Sequence, residues 1–126
     1  MPLLRKTLLL LVVLSAALAA PAVGQAAGLS ASFSTSSDWG SGFVGAYTIT
    51  NGGTSPVTGW RLEFDLPLNE SITGAWSGQL SSLGGHYVVT NASWNQTIAP
   101  GTSVNPGFQG AYTGTFTPPQ NCLIND

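Results

Sequence analysis

The stretches FVGAYTIT (residues 43–50) and WRLEFDL (residues 60–66) decide the fold. In the first, Phe43, Gly45, Tyr47 and Ile49 share one face, and Ala46, Thr48 and Thr50 the other. In the second, Trp60, Leu62, Phe64 and Leu66 lie opposite Arg61, Glu63 and Asp65. Side chains alternate across a strand with a period of two, so each stretch reads as a strand with one buried side. Further candidate strands are LSASFSTS, SITGAWS, HYVVT, part of TIAPGTSVN, PGFQGAY and NCLIN. Turn chemistry separates them: NGGTSP after Ile49, LPLN after Asp65, LGG before His86 and APG at Ala99. About eight short strands, rich in Thr, Ser and Gly, predict an all-β fold. The expected architecture is an antiparallel β-sandwich of the immunoglobulin-like or jelly-roll type.

The first residues do not belong to that pattern. Arg5 and Lys6 precede an apolar run, LLLLVVLSAALAA (residues 8–20), and APAVGQAAG then offers small residues for cleavage. That order is a secretory signal peptide, and the run falls short of the roughly 20 apolar residues of a membrane span. Cleavage after Ala22, Ala26 or Ala27 fits. With the boundary at 27, residues 1–27 are the leader and residues 28–126 form one domain of about 100 residues. The expected location is extracellular.

Without the leader, Arg61 is the one basic residue left against Asp38, Glu63, Asp65, Glu70 and Asp126. A single cation cannot neutralise a row of phosphates or draw the chain to an anionic bilayer. Nucleic acid and membrane are therefore excluded as partners of the mature chain, and a neutral partner is expected. The single cysteine, Cys122, has no mate. A buried thiol, an intermolecular bridge and a partner outside this sequence all remain open, and without a disulfide the core alone must hold the domain.

Catalysis finds little to work with. Glu63 and Asp65 point the same way beside Arg61, roughly 6–7 Å apart along the strand, a separation that paired catalytic carboxylates use. No histidine or other titratable group accompanies them in the sequence, so they read as a solvated strand face. His86, the only histidine, reads as a loop or strand-edge residue. No serine sits in a nucleophile motif. One histidine, one cysteine and scattered acids make no metal site. The expectation is no catalytic residue, no metal and no cofactor.

The tryptophans carry more. Trp60 alternates with Leu62, Phe64 and Leu66 and belongs to the core. Trp39, Trp76 and Trp94 stand among Gly, Ser, Asn and Ala, near strand ends. Alternation alone admits a core place, because Trp76 is in phase with Ile72 and Trp94 with Ile98. Three such residues, beside a core tryptophan in so small a domain, tilt the reading towards the surface. Exposed indoles have a use. A β-linked pyranose presents axial C–H bonds on a flat face, and these meet the negative face of an aromatic ring. Ring and sugar also leave water together. A neutral polymer needs no charged site, which fits the charge poverty.

LSASFSTSSDWGSGFVGAYTITNGGTSPVTGWRLEFDLP, GAWSG, TNASWNQTIAPGTSV and GFQGAYTG together resemble the family 2 carbohydrate-binding modules. The resemblance runs from about Leu29 to the end. It implies a secreted bacterial β-sandwich that binds insoluble polysaccharide, with cellulose first and chitin or xylan as alternatives. A fused or associated glycoside hydrolase would be its partner. It also implies that Trp39, Trp76 and Trp94 are coplanar surface platforms, that Trp60 is the buried tryptophan, and that Asn105 and Gln109 are polar positions beside the platforms. Gly42 and Trp94 match the cellulose-binding type rather than the xylan-binding one, since a glycine leaves room for the Trp39 ring to lie flat. Four positions depart from the family pattern. Leu29 replaces the first cysteine of an end-to-end disulfide, and Cys122 lies earlier than the second. Gly74 stands where an amide is usual, and Pro106 replaces an apolar strand residue. Two rival readings are a short form of a glycoside hydrolase and a structural or adhesive wall protein. Three Asn-X-Ser/Thr stretches begin at Asn69, Asn91 and Asn95; in a bacterial protein they read as incidental, and a glycan on Asn95 would compete with Trp94.

Overall fold

The computed structural model describes residues 28–125; the leader expected at residues 1–27 lies outside them. Eleven strands follow in chain order: β1 (Leu29–Asp38), β2 (Gly42–Asn51), β3 (Val57–Thr58), β4 (Arg61–Asp65), β5 (Glu70–Trp76), β6 (Gln79–Leu83), β7 (His86–Thr90), β8 (Thr97–Ile98), β9 (Ser103–Val104), β10 (Gly107–Tyr112) and β11 (Gln120–Ile124). One sheet runs β1-β2-β10-β5, with β9 also paired to β2; a second runs β11-β4-β7-β6; β3 and β8 form a short ladder. Every pairing is antiparallel. The expected sandwich is therefore the observed one.

Two strands escaped the sequence reading. β6 (QLSSL) carries mostly exposed residues, so no buried face marks it, and β3 is two residues long. The segment TIAPGTSVN divides into β8 and β9 around a turn closed by the Thr102 N–H donating to the Ala99 carbonyl. Pro106 falls between β9 and β10, where its missing N–H breaks no ladder, and its carbonyl accepts from the Tyr47 N–H.

The alternation in β2 and β4 holds residue by residue. Phe43, Tyr47 and Ile49 face Trp60, Leu62, Phe64 and Leu66 across the interior, all buried. The two sheets meet on a column of rings. Phe64 stacks on Phe108 with centroids 5.3 Å apart and on Tyr87 at 5.7 Å, each at an interplanar angle of 16°. Phe33 continues the column on the other side of Phe108, at 5.9 Å. Leu29 is fully buried at the start of β1. Cys122 is a half-buried free thiol packed against the core, and burial pushes its pKa up.

One expectation fails on the outer face of the second sheet. The carboxylates of β4 are accompanied by a histidine after all: β7 pairs beside β4 and sets His86 opposite Asp65. His86 Nδ1 lies 2.7 Å from Asp65 Oδ1, and Nε2 lies 2.8 Å from Glu63 Oε1. Arg61 donates to Glu63 and Asn121 to Asp65. Both ring nitrogens are engaged and the cluster is open to solvent, so it is a surface ion network.

Phe64→Ala removes the ring on which both sheets meet. Its expected cost is about 3–5 kcal/mol, a large share of the 5–15 kcal/mol that holds a typical domain, read as a lower midpoint in urea unfolding. A second outcome concerns pH. Hydrogen bonds to Asp65 and then Glu63 raise the His86 pKa above its ordinary 6.5. The stability it contributes is full below that value and fades as pH rises through the folded pKa. The stability gap between wild type and His86→Gln should therefore be wider at mildly acid than at alkaline pH, measured by thermal melts across the range.

Candidate functional site

Trp39, Trp76 and Trp94 are 52%, 45% and 73% exposed, whereas Trp60 is buried. Strict alternation would have hidden two of the three. Phe33 points into the core, and Trp39 lies six residues later with the same parity. Between them the β1–β2 register slips, with Thr35 opposite Gly45 but Ser37 opposite Val44. Ser36 is the extra residue, and the bulge turns the rest of β1 over. The same device acts in β5. Gln109 pairs with Gly74 and Gly110 with Ile72, leaving Thr73 unpaired. Ile72 packs against the core while Trp76, in phase with it by sequence, faces out.

Each exposed strand tryptophan then lies on a glycine. The Trp39 N–H donates to the Gly42 carbonyl across a two-residue hairpin loop, and Gly40 supplies the φ of +90° that a type II′ turn needs at its first central position. A Cβ on Gly42 would stand 2.5 Å from Trp39 Cζ2 and 2.8 Å from the Gly110 carbonyl. Trp76 pairs directly with Gly107, whose Cβ would stand 2.4 Å from its indole Nε1. Both rings therefore lie down on bare backbone.

Asp38 pins the hairpin that carries Trp39. Its Oδ1 accepts from the Tyr112 hydroxyl at 2.6 Å and from the Gly40 N–H at 3.0 Å. The Tyr112 bond first, and the Gly40 bond second, hold its pKa below the usual 3.8. This support is complete above that value and is lost as pH falls through the folded one.

Trp94 is held differently. It rides a loop between β7 and β8, where alternation does not apply. Its neighbour Asn95 is buried and bonded through both ends of its amide: Oδ1 accepts from the Ala92 N–H at 2.8 Å, Nδ2 donates to the Ser77 carbonyl at 2.9 Å, and the Asn95 carbonyl accepts from Trp60 Nε1 at 2.9 Å. The core tryptophan thus anchors the loop that displays the surface one. With its amide committed in this way, Asn95 is a structural residue. Asn69 Nδ2 is likewise spent on the Thr113 and Thr115 carbonyls.

Two of the rings follow β10. Gly42, under Trp39, pairs with Ala111, and Gly107 lies under Trp76. Asn105, two residues further back, lines a cleft of about 240 Å³ with Trp94, Ser77, Asn95, Ser103 and Val104. Exposed Gln109 stands between the first two rings, and exposed Asn105, whose Nδ2 donates to Thr48 Oγ1 at 2.9 Å, between the second and third. Beside Gln109, a Cβ on Gly74 would touch nothing, so the usual amide position is an open gap. Sequence reasoning missed the two bulges; the only signal for them is the small residues at Ser36 and Gly74.

A two-sheet sandwich with a tryptophan row on one neutral face defines a non-catalytic polysaccharide-binding module. The chain belongs to the cellulose binding domain family, which it matches over residues 29–126. A cellulose/chitin binding protein of Mycobacterium tuberculosis is 43% identical to it, over 97% of this chain and 86% of that protein. Chitinase C of Streptomyces lividans is 41% identical over 86% of this chain, which spans 17% of that enzyme. Among solved structures, the chitin-binding domain of Chi18aC from Streptomyces coelicolor is 40% identical, with a TM-score of 0.65 over 79% of this chain and 92% of that one. A cellulose-binding family 2 carbohydrate-binding domain, from ScLPMO10C, is 29% identical with a TM-score of 0.62, over 79% of this chain and 98% of that one.

Gly107→Ala tests the seating of Trp76 with the least disturbance, because the three nearest atoms to the new Cβ all belong to that indole. The ring should lift at a cost of about 0.5–1.5 kcal/mol. In two-dimensional NMR the Trp76 indole N–H signal should move while that of Trp60, bonded to Asn95, stays in place.

Proposed function

We propose that this chain is a secreted module that binds crystalline cellulose, and chitin beside it, by stacking sugar rings on Trp39, Trp76 and Trp94. Asn105 and Gln109 hydrogen-bond to sugar hydroxyls between the platforms, and residues 1–27 direct export. The observation that carries this reading is three exposed indoles, two of them seated on glycine beside β10 and the third beside Asn105. A neutral polymer suits exposed rings on a surface without basic residues, and several platforms add their contacts. Gly42 under a flat Trp39 ring argues against the xylan-binding type, as does the presence of Trp94. Chitinase C, of which a matching segment is a small part, supports a role beside a glycoside hydrolase, fused or associated.

Depletion from solution by microcrystalline cellulose and by chitin tests the proposal. Trp39→Ala, Trp76→Ala and Trp94→Ala should each weaken binding by about 1–3 kcal/mol, the worth of an aromatic stack on a flat ring elsewhere, with the melting temperature nearly unchanged. Undiminished binding by the triple variant would overturn the platform. Release of soluble sugar by the pure protein would favour the hydrolase reading instead.

A further inference from the structure

Trp76 and Trp94 stand on separate segments, one at the end of β5 and the other in the loop after β7. The residue that follows each is bonded to the residue that follows the other: Asn95 Nδ2 donates to the Ser77 carbonyl at 2.9 Å. Both ends of this tie rest on the same buried indole. Trp60 Nε1 donates to the Asn95 carbonyl at 2.9 Å. On the far edge of that ring, a Cβ on Gly78 would stand 3.3 Å from Trp60 Cη2 and 2.7 Å from Val89 Cγ1. The segment that carries Trp76 is thus pressed onto the core where only a glycine fits. Between the two contacts, Ser77 holds a φ of +61°, uncommon for a residue other than glycine, asparagine or aspartate. Such a backbone persists where its surroundings over-determine it, and here the Asn95 amide and the Gly78 contact do so.

Spacing matters when the ligand is a stiff polymer. Linked platforms add their contacts only where geometry lets both engage at once. A platform free to wander must be ordered at the moment of binding, which lowers affinity. Asn95 is itself buried, so it acts on a ligand only through the rings beside it. We propose that Asn95 is a positioning residue: its bond to Ser77 fixes the spacing between the Trp76 and Trp94 platforms. This inference rests on the platform reading. It adds a division of labour, in which the rings make the contact and Asn95 sets where two of them stand relative to each other. Trp39 lies outside this unit, because its hairpin is held by Asp38 through Tyr112 and Gly40.

The test is a set of double-mutant cycles on the full chain, read as depletion by microcrystalline cellulose at neutral pH. Asn95→Asp keeps an oxygen for the Ala92 N–H and replaces the donor by an oxygen that faces the Ser77 carbonyl. Asn95→Ser, neutral and too short to reach Ser77, serves where the aspartate does not fold. Either change should weaken binding by roughly three- to tenfold, the range for ordering one more group on binding. The same loss should appear in the Trp39→Ala background. In the Trp76→Ala and Trp94→Ala backgrounds it should shrink to less than about twofold, because no spacing is left to set. Undiminished binding by both Asn95 variants would overturn the proposal. So would an equal loss in all three backgrounds, the mark of a general effect on the fold. A loss that survives in Trp76→Ala but not in Trp94→Ala would make Asn95 a local support of Trp94 and overturn the spacing role. Each of these leaves the platform reading intact. Trp76→Ala and Trp94→Ala that bind as well as wild type would overturn both.

Discussion

The ring column Phe33–Phe108–Phe64–Tyr87 is the contact on which the structure depends. It is where the two sheets touch, and it ties β10, the strand that organises the tryptophan row, to β4 and β7 behind it. Among the described residues Cys122 is a free thiol, and Leu29 fills the core at the start of β1. Burial must therefore do alone what a staple and burial usually do together. A domain of this size buries a modest fraction of its surface, so the dense aromatic interior is a requirement.

On the outer side of β10 the logic reverses, because here large rings must stay in water. Two devices achieve it. Bulges at Ser36 and Thr73 change which way the following side chains point, and Gly42 and Gly107 withdraw the side chains that would prop the rings up. The third tryptophan needs neither, since its loop is tied to the interior through Asn95 and Trp60. Interior and exterior are thus linked at one point, where a buried indole N–H fixes the backbone next to an exposed indole.

The sequence displayed the sandwich openly, because alternation in FVGAYTIT and WRLEFDL is undisturbed. It hid what depends on pairing between distant strands. The bulges are visible only as a mismatch between partners, so Trp39 and Trp76 carry core parity in the sequence yet lie on the surface. His86 stands far along the chain from Glu63 and Asp65, and only the β4–β7 register makes them neighbours. β6 lacks a buried face and so lacks a signature. The tryptophans were legible as candidates through composition and family resemblance, though alternation by itself left their exposure open; Asn105 and Gln109 were legible through the resemblance, and alternation against Phe108 turned them outward.

Because Trp39 and Trp76 sit at opposite ends of β10, four residues apart at Ala111 and Gly107, their separation is a count of residues. Moving one ring by a single position would turn it into the core. The spacing can change only two residues at a time, in jumps of roughly 7 Å. A surface of this kind adapts to the repeat of a polymer in coarse steps, and finer adjustment falls to the loop that carries Trp94.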